Sequence, residues 1–123
     1  MKILLVDDDA FLRDMYATKF TQSGDVVTTA EDPGVALSKI REDQFDVLII
    51  DMVMPGMTGL ELLERVRADG LAPAATYVML SNQSEASDKE AAAAMGVHGY
   101  LVKAELIPSE VVTAVHDIVA KRA

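Results

Sequence analysis

Five short apolar runs recur along the chain, and each is followed by a segment of helical spacing. This alternation restricts the fold more than any other feature. The runs are Lys2 to Val6, Asp25 to Thr29, Asp46 to Ile50, Thr76 to Leu80 and His98 to Val102. The third, Val47-Leu48-Ile49-Ile50, is unbroken and rich in β-branched residues, as expected of a strand buried on both faces of a parallel sheet. Between the runs the period changes. Phe11, Met15 and Phe20, with Leu12 and Tyr16 beside them, fall on one helical stripe. Val35, Leu37 and Ile40 mark a second helix, and Leu60, Leu63 and Val66 a third. A fourth is predicted from about Ser84 to Met95, carried by the strong helix formers Ala91 to Ala94. The last starts near Ser109 and repeats Val111, Val112, Val115, Ile118 and Val119 at helical steps. Ser84, Ser87 and Ser109 are candidate N-caps, and Pro33 and Pro108 sit near helix starts, where a missing N–H costs little.

A chain of 123 residues has room for one domain, residues 1–123, and 50% hydrophobic residues suffice for its core. Strict βα alternation, repeated five times, predicts right-handed crossovers and an open, doubly wound, mostly parallel α/β sheet covered on both faces. Ligands of such sheets bind at the carboxyl ends of the strands. There the first strand runs into Asp7-Asp8-Asp9, the third into Asp51, the fourth into Ser81 and the fifth into Lys103. Only the second delivers no comparable group.

Taken singly, each of these residues has a plain explanation. A lone Asp after a strand is usually a turn former or a helix cap, and a lone Lys a solvated charge. Convergence is what changes the reading. Clustered carboxylates repel and persist cheaply only with a cation. Oxygen ligands without His or Cys favour a hard ion, Mg²⁺ above all. A cation beside a carboxylate makes a phosphoryl receptor, in which Asp51 fits the nucleophile, Lys103 a fixed charge on phosphate oxygens, and Ser81 a hydrogen-bond donor.

Charge and composition remove other classes. Twenty Asp and Glu against 11 Lys and Arg leave a net charge of -9, which repels nucleic acid and anionic lipid. With no cysteine there is no disulfide, thiolate metal site or thiol nucleophile. The first apolar run is too short for a signal peptide, and none approaches the ~18 residues of a membrane span. A cytoplasmic location is the expectation.

Val6-Asp7-Asp8, Asp51 followed by Met54-Pro55-Gly56-Met57-Thr58-Gly59, Ser81 at a strand end, and Tyr100 three residues before Lys103 together resemble the receiver domain of bacterial two-component response regulators. The resemblance spans essentially the whole chain. It implies a flavodoxin-like sheet of strand order 2-1-3-4-5. It also implies that Asp51 is the phospho-acceptor, served by a histidine kinase, a phosphotransfer protein or a small phosphodonor, in a signalling domain that is not an enzyme in its own right. By the same resemblance Asp7, Asp8, Asp51 and the Val53 backbone carbonyl would hold Mg²⁺. Ser81 and Lys103 would bind the phosphoryl oxygens, and Tyr100 would be the switch aromatic coupled to Ser81. Output is then expected through the face formed by helix 4, strand 5 and helix 5, toward a homodimer or a downstream protein, with Val112 and Val119 as a candidate exposed apolar strip.

Three positions depart from the common pattern. Ala104 follows Lys103 where the family usually has proline in a cis peptide, so a trans bond that shifts Lys103 or the next loop is anticipated. Asn82 replaces a frequent alanine, and Val53 and Gln83 stand where the family tunes water access to the acyl phosphate. Two rivals remain. One is a receiver-like interaction module that is never phosphorylated. The other is a haloacid dehalogenase-like phosphatase with Asp7 as nucleophile, which leaves the Asp51 motif unexplained. His98 is expected to be packed or edge-exposed, His116 to be at the surface, and the methionines at 52, 54 and 57 to be adaptable packing.

Overall fold

The computed structural model describes residues 1–122. In chain order the elements are β1 (Lys2–Val6), α1 (Ala10–Gln22), β2 (Val26–Ala30), α2 (Pro33–Glu42), β3 (Val47–Ile50), α3 (Gly59–Ala68), β4 (Thr76–Ser81), α4 (Ala86–Ala94), β5 (Gly99–Val102) and α5 (Pro108–Arg122), with a 3₁₀ turn at Lys103–Glu105. The five strands form one parallel sheet in the order β2-β1-β3-β4-β5. Every residue of β3 and β4 is buried, which explains why their sequences run apolar instead of alternating.

Alternate residues of each strand feed two separate cores. Leu4, Val6, Leu48, Ile50 and Met79 pack with α2, α3 and Ala92 of α4. Ile3, Leu5, Val47, Ile49, Val78 and Leu80 pack with Tyr16 and Phe20 of α1 and with Val111, Val112 and Val115 of α5. The period of two along each strand therefore decides which helices it meets.

Several local expectations are corrected. Phe11 is 76% exposed, because the buried stripe of α1 runs through Tyr16 and Phe20, with Leu12 packed beside it, and Phe11 falls on the opposite face. Val112 is buried against the α1 side and Val119 packs on the same cluster, so α5 shows no exposed apolar strip there. None of the candidate serines caps a helix. The N-cap of α4 is Glu85, with no side-chain cap bond. α5 starts at Pro108, and Glu110 closes that end by accepting the Ile107 N–H at 2.9 Å. His116 is anchored as well as partly exposed, since its Nε2 lies 2.6 Å from Oδ2 of the buried Asp25. Among the described residues no helix is long and apolar enough to cross a membrane.

Candidate functional site

The ladder sets the site. Val6 pairs with Ile50 in register, and the Asp51 N–H continues the β1–β3 bonding to the Val6 carbonyl at 3.1 Å. Asp7 and Asp51 therefore leave adjacent strands side by side. β4 ends at Ser81, paired with Val102, so Lys103 emerges beside it.

These residues meet. The Lys103 Nζ lies 2.7 Å from Asp7 Oδ2 and 2.8 Å from Asp51 Oδ2, all three side chains being buried. Asp7, Asp8 and Asp51 each offer an oxygen within 4.8 Å of the others. Asp8 is exposed, so the group opens to solvent on that side. Main-chain donors hold it in place: the Asp9 N–H reaches Asp7 Oδ1 at 2.9 Å, and the Val53 N–H reaches Asp51 Oδ1 at 3.2 Å. Asp9 itself caps α1 by accepting the Leu12 N–H at 3.0 Å. A shallow cleft of about 260 Å³ lies over Asp8, Asp51, Val53, Ser81, Gln83 and Lys103. A larger one of about 500 Å³ lies at the other end of the sheet, between the segments 40–45 and 70–75, away from these groups.

Burial and pairing together explain the titration behaviour. Burial raises the Asp7 carboxyl above its ordinary range; the bonds from Lys103 and the Asp9 N–H pull it down only in part, and the Asp51 charge adds to the rise. Burial alone would lower the Lys103 ammonium, but the bonds from Asp51 and Asp7 outweigh it and hold it above its ordinary range. Burial therefore decides the direction at Asp7, whereas at Lys103 the bonds to two carboxylates outweigh it. Three hard oxygens around an incompletely neutralised centre fit Mg²⁺, which binds through one or two carboxylates and keeps positions for phosphate oxygens and water.

No peptide bond among the described residues is cis. The trans Lys103-Ala104 bond leads into the 3₁₀ turn, with Nζ on both carboxylates.

Ser81 and Tyr100 converge on one residue. The Ser81 Oγ accepts the Gln83 N–H at 3.2 Å, and the Tyr100 hydroxyl donates to the Gln83 carbonyl at 2.6 Å. Burial raises the Tyr100 phenol, with Asp88 and Asp51 adding to it and the neighbouring Ser81 hydroxyl opposing.

Two contributors escaped sequence reasoning. Arg13 fixes the Asp7 carbonyl at 2.8 Å, and nothing in its position along a helix announces this. Gly59 sits so close to the Asp51 main chain that a Cβ there would overlap the Asp51 carbonyl oxygen. The signal was its place closing the Asp-x-x-Met-Pro-Gly-Met-Thr-Gly stretch. Met52 and Met54 fill the same loop from inside, as expected.

Comparison with known proteins points one way. The family model described as response regulator receiver domain matches residues 3–116. The two-component response regulator PhoP of Pseudomonas aeruginosa is 34% identical over 84% of this chain, which spans only 45% of that protein. The chemotaxis protein CheY of the same organism is 38% identical over 84% of both chains. Among solved structures, Vibrio cholerae chemotaxis protein CheY4 superposes with a TM-score of 0.87 at 32% identity, covering 95% of this chain and 97% of that one.

Proposed function

Since this chain belongs to the receiver domain family of response regulators, we propose that residues 1–123 act as one receiver unit in which Asp51 accepts a phosphoryl group. The donor is the phosphohistidine of a sensor histidine kinase or phosphotransfer protein, or a small acyl phosphate. The observation that carries this is the Lys103 ammonium spanning Asp7 and Asp51 at 2.7 and 2.8 Å, with Asp8 alongside and Ser81 lining the same cleft.

In the transfer, an Asp51 carboxylate oxygen forms a bond to phosphorus while the donor's bond breaks, phosphorus–nitrogen in phosphohistidine or phosphorus–oxygen in an acyl phosphate, its electron pair leaving with the imidazole or the carboxylate. Lys103 leaves its bond to Asp51 Oδ2 and neutralises phosphoryl oxygens, and Ser81 donates its hydroxyl to another. Asp7, Asp8, Asp51 and the Val53 carbonyl would hold Mg²⁺, which when bound supplies the remaining positive charge on the phosphoryl oxygens. Movement of Ser81 toward the phosphoryl group then draws on its Gln83 contact. Tyr100, bonded to the same Gln83, changes position with it. That couples Asp51 to the α4–β5–α5 face, where a homodimer or a downstream protein would dock.

The test is incubation with acetyl phosphate and Mg²⁺ followed by intact-mass measurement. One added phosphoryl group is expected, absent in Asp51→Asn and absent with a chelator. No modification would leave a non-phosphorylated module, and multiple turnover through Asp7 a phosphatase. Sedimentation with and without beryllofluoride then tests the output face: an unchanged mass and unchanged partner affinity would remove it.

A further inference from the structure

The end of the sheet away from Asp51 carries a second polar cluster that phosphoryl transfer does not use. Arg67 at the end of α3, Tyr77 in β4, His98 ahead of β5 and Arg122 at the end of α5 line one pocket of about 260 Å³. Arg67 donates to the Met95 carbonyl and to the Gly96 carbonyl at 3.4 Å, and lies over the Tyr77 ring, 5.0 Å from its centroid. Arg122 Nη1 donates to the Ala75 carbonyl and Thr76 Oγ1, both at 2.9 Å.

These partners are neutral. Arg41 and Arg65 share the Asp69 carboxylate, whereas neither Arg67 nor Arg122 pairs with a carboxylate of the described residues, in a chain with nine surplus negative charges. Arg122 holds its neutral acceptors through Nη1 alone, so the hydrogens on Nε and Nη2 remain. His98 stacks on Tyr77 with 5.8 Å between ring centroids, and its Nδ1 accepts the Tyr77 N–H at 2.9 Å. Only a neutral imidazole with its proton on Nε2 can do that, so the ring brings a further donor. Partial burial, with Arg122 and Arg67 nearby, holds its protonation below the ordinary range.

We propose that this pocket is a binding site for a small oxyanion, a phosphate or carboxylate group held between the Arg67 and Arg122 guanidiniums with His98 as a third donor. Guanidinium forks match such groups in shape as well as charge. The volume lies below the roughly 300–1,000 Å³ of pockets for drug-sized ligands, which favours a small anion over a nucleotide. The chain's overall negative charge opposes anions at long range, so the binding is short-ranged and salt-sensitive.

The test is residue-resolved NMR of the 123-residue chain without Mg²⁺, at a pH where His98 is neutral, titrated with inorganic phosphate or succinate against potassium chloride of equal ionic strength. Saturable shifts at the Tyr77 amide and the His98 ring are expected with at least one oxyanion and not with chloride. Saturation by phosphate alone identifies a phosphate site, and by succinate alone a carboxylate site. Arg67→Gln and Arg122→Gln should each weaken binding about tenfold or more, as loss of a charged hydrogen bond implies. Arg65→Gln should not. Should Arg122→Gln fail to fold, Arg122→Lys keeps the charge, loses the fork, and is expected to weaken binding as well. Equal shifts with chloride, shifts confined to Ser81 and its neighbours, or Arg67 and Arg122 variants that bind as the parent would overturn the proposal.

Discussion

α3 and α4 follow the two strands that deliver Asp51 and Ser81, yet they are built differently. α3 opens with a reciprocal cap, Thr58 Oγ1 accepting the Glu61 N–H and the Thr58 N–H donating to Glu61 Oε1, both at 3.1 Å. It buries Leu62, Leu63 and Val66 completely and carries Arg65 and Arg67 in its last turn. α4 has no side-chain cap, no basic residue in its last turn, and Ala92 as its one buried side chain. Its neighbour β5 pairs with β4 alone, whereas β3 is paired on both sides. Asp51, the proposed acceptor, thus stands beside the better-anchored helix, and the proposed output face includes the segment with least to lose by moving. Low local stability is what a mobile output element requires.

The comparison breaks or holds first on core deletion. Leu62→Ala should cost about 2–5 kcal/mol through lost burial and a residual cavity. Ala92→Gly, at the best-packed point of α4, should cost only about 1 kcal/mol. Urea denaturation measures both, and equal losses would mean that α4 is as firmly docked as α3. Next in size is Gly59→Ala, which forces the loop after β3 off the Asp51 carbonyl and should cost about 1–3 kcal/mol. The rate of acetyl phosphate modification should fall with it, because Asp51 shares that backbone.

Most of the frame was legible in the sequence because its signals are local and redundant. Unbroken apolar runs, helical steps and the residue past each strand fixed the elements and brought Asp7, Asp51, Ser81 and Lys103 to one edge. What sequence missed depended on geometry that periodicity does not carry. Phe11 looked like part of the apolar stripe of α1, but at 3.6 residues per turn it falls on the face opposite Phe20. Val112 looked lateral on α5, yet it is buried in the cluster that also holds Tyr16 and Phe20 of α1. Ser84, Ser87 and Ser109 have the chemistry of caps, but the helices start one or two residues away from them. The carbonyl-binding role of Arg13 and the tight fit of Gly59 need the folded loop.

Asp7→Asn tests what burying a carboxylate beside Asp51 costs the frame. Asparagine keeps an oxygen for the Asp9 N–H and removes one of three clustered charges, so stabilisation of up to about 2 kcal/mol at neutral pH is expected. The sign follows from linkage. The folded-state value of Asp7 lies above its unfolded one, so its contribution is fully present below about pH 3.8 and is lost as pH rises through the folded value. The advantage of the variant should therefore shrink as the medium is acidified toward pH 4, and urea curves at the two pH values measure it. Mg²⁺ should stabilise the parent chain and not the variant. A variant less stable than the parent at neutral pH would mean that the Lys103 bond outweighs the crowding.

The smallest effect sharpens the contrast from the other side. Glu85 holds the N-cap position of α4 in extended backbone geometry without a cap bond, so Glu85→Ser supplies the missing acceptor where the backbone already suits it. The expected gain is about 0.5–1 kcal/mol for α4. If α4 opens without the rest of the molecule, amide exchange in its central turns should slow about two- to fivefold while the global urea midpoint hardly moves, since local openings draw on local free energy. If instead the global midpoint rises by the full amount and exchange in α3 slows equally, the two helices unfold as one unit. A readout segment held apart from its frame would then be the wrong description of this fold.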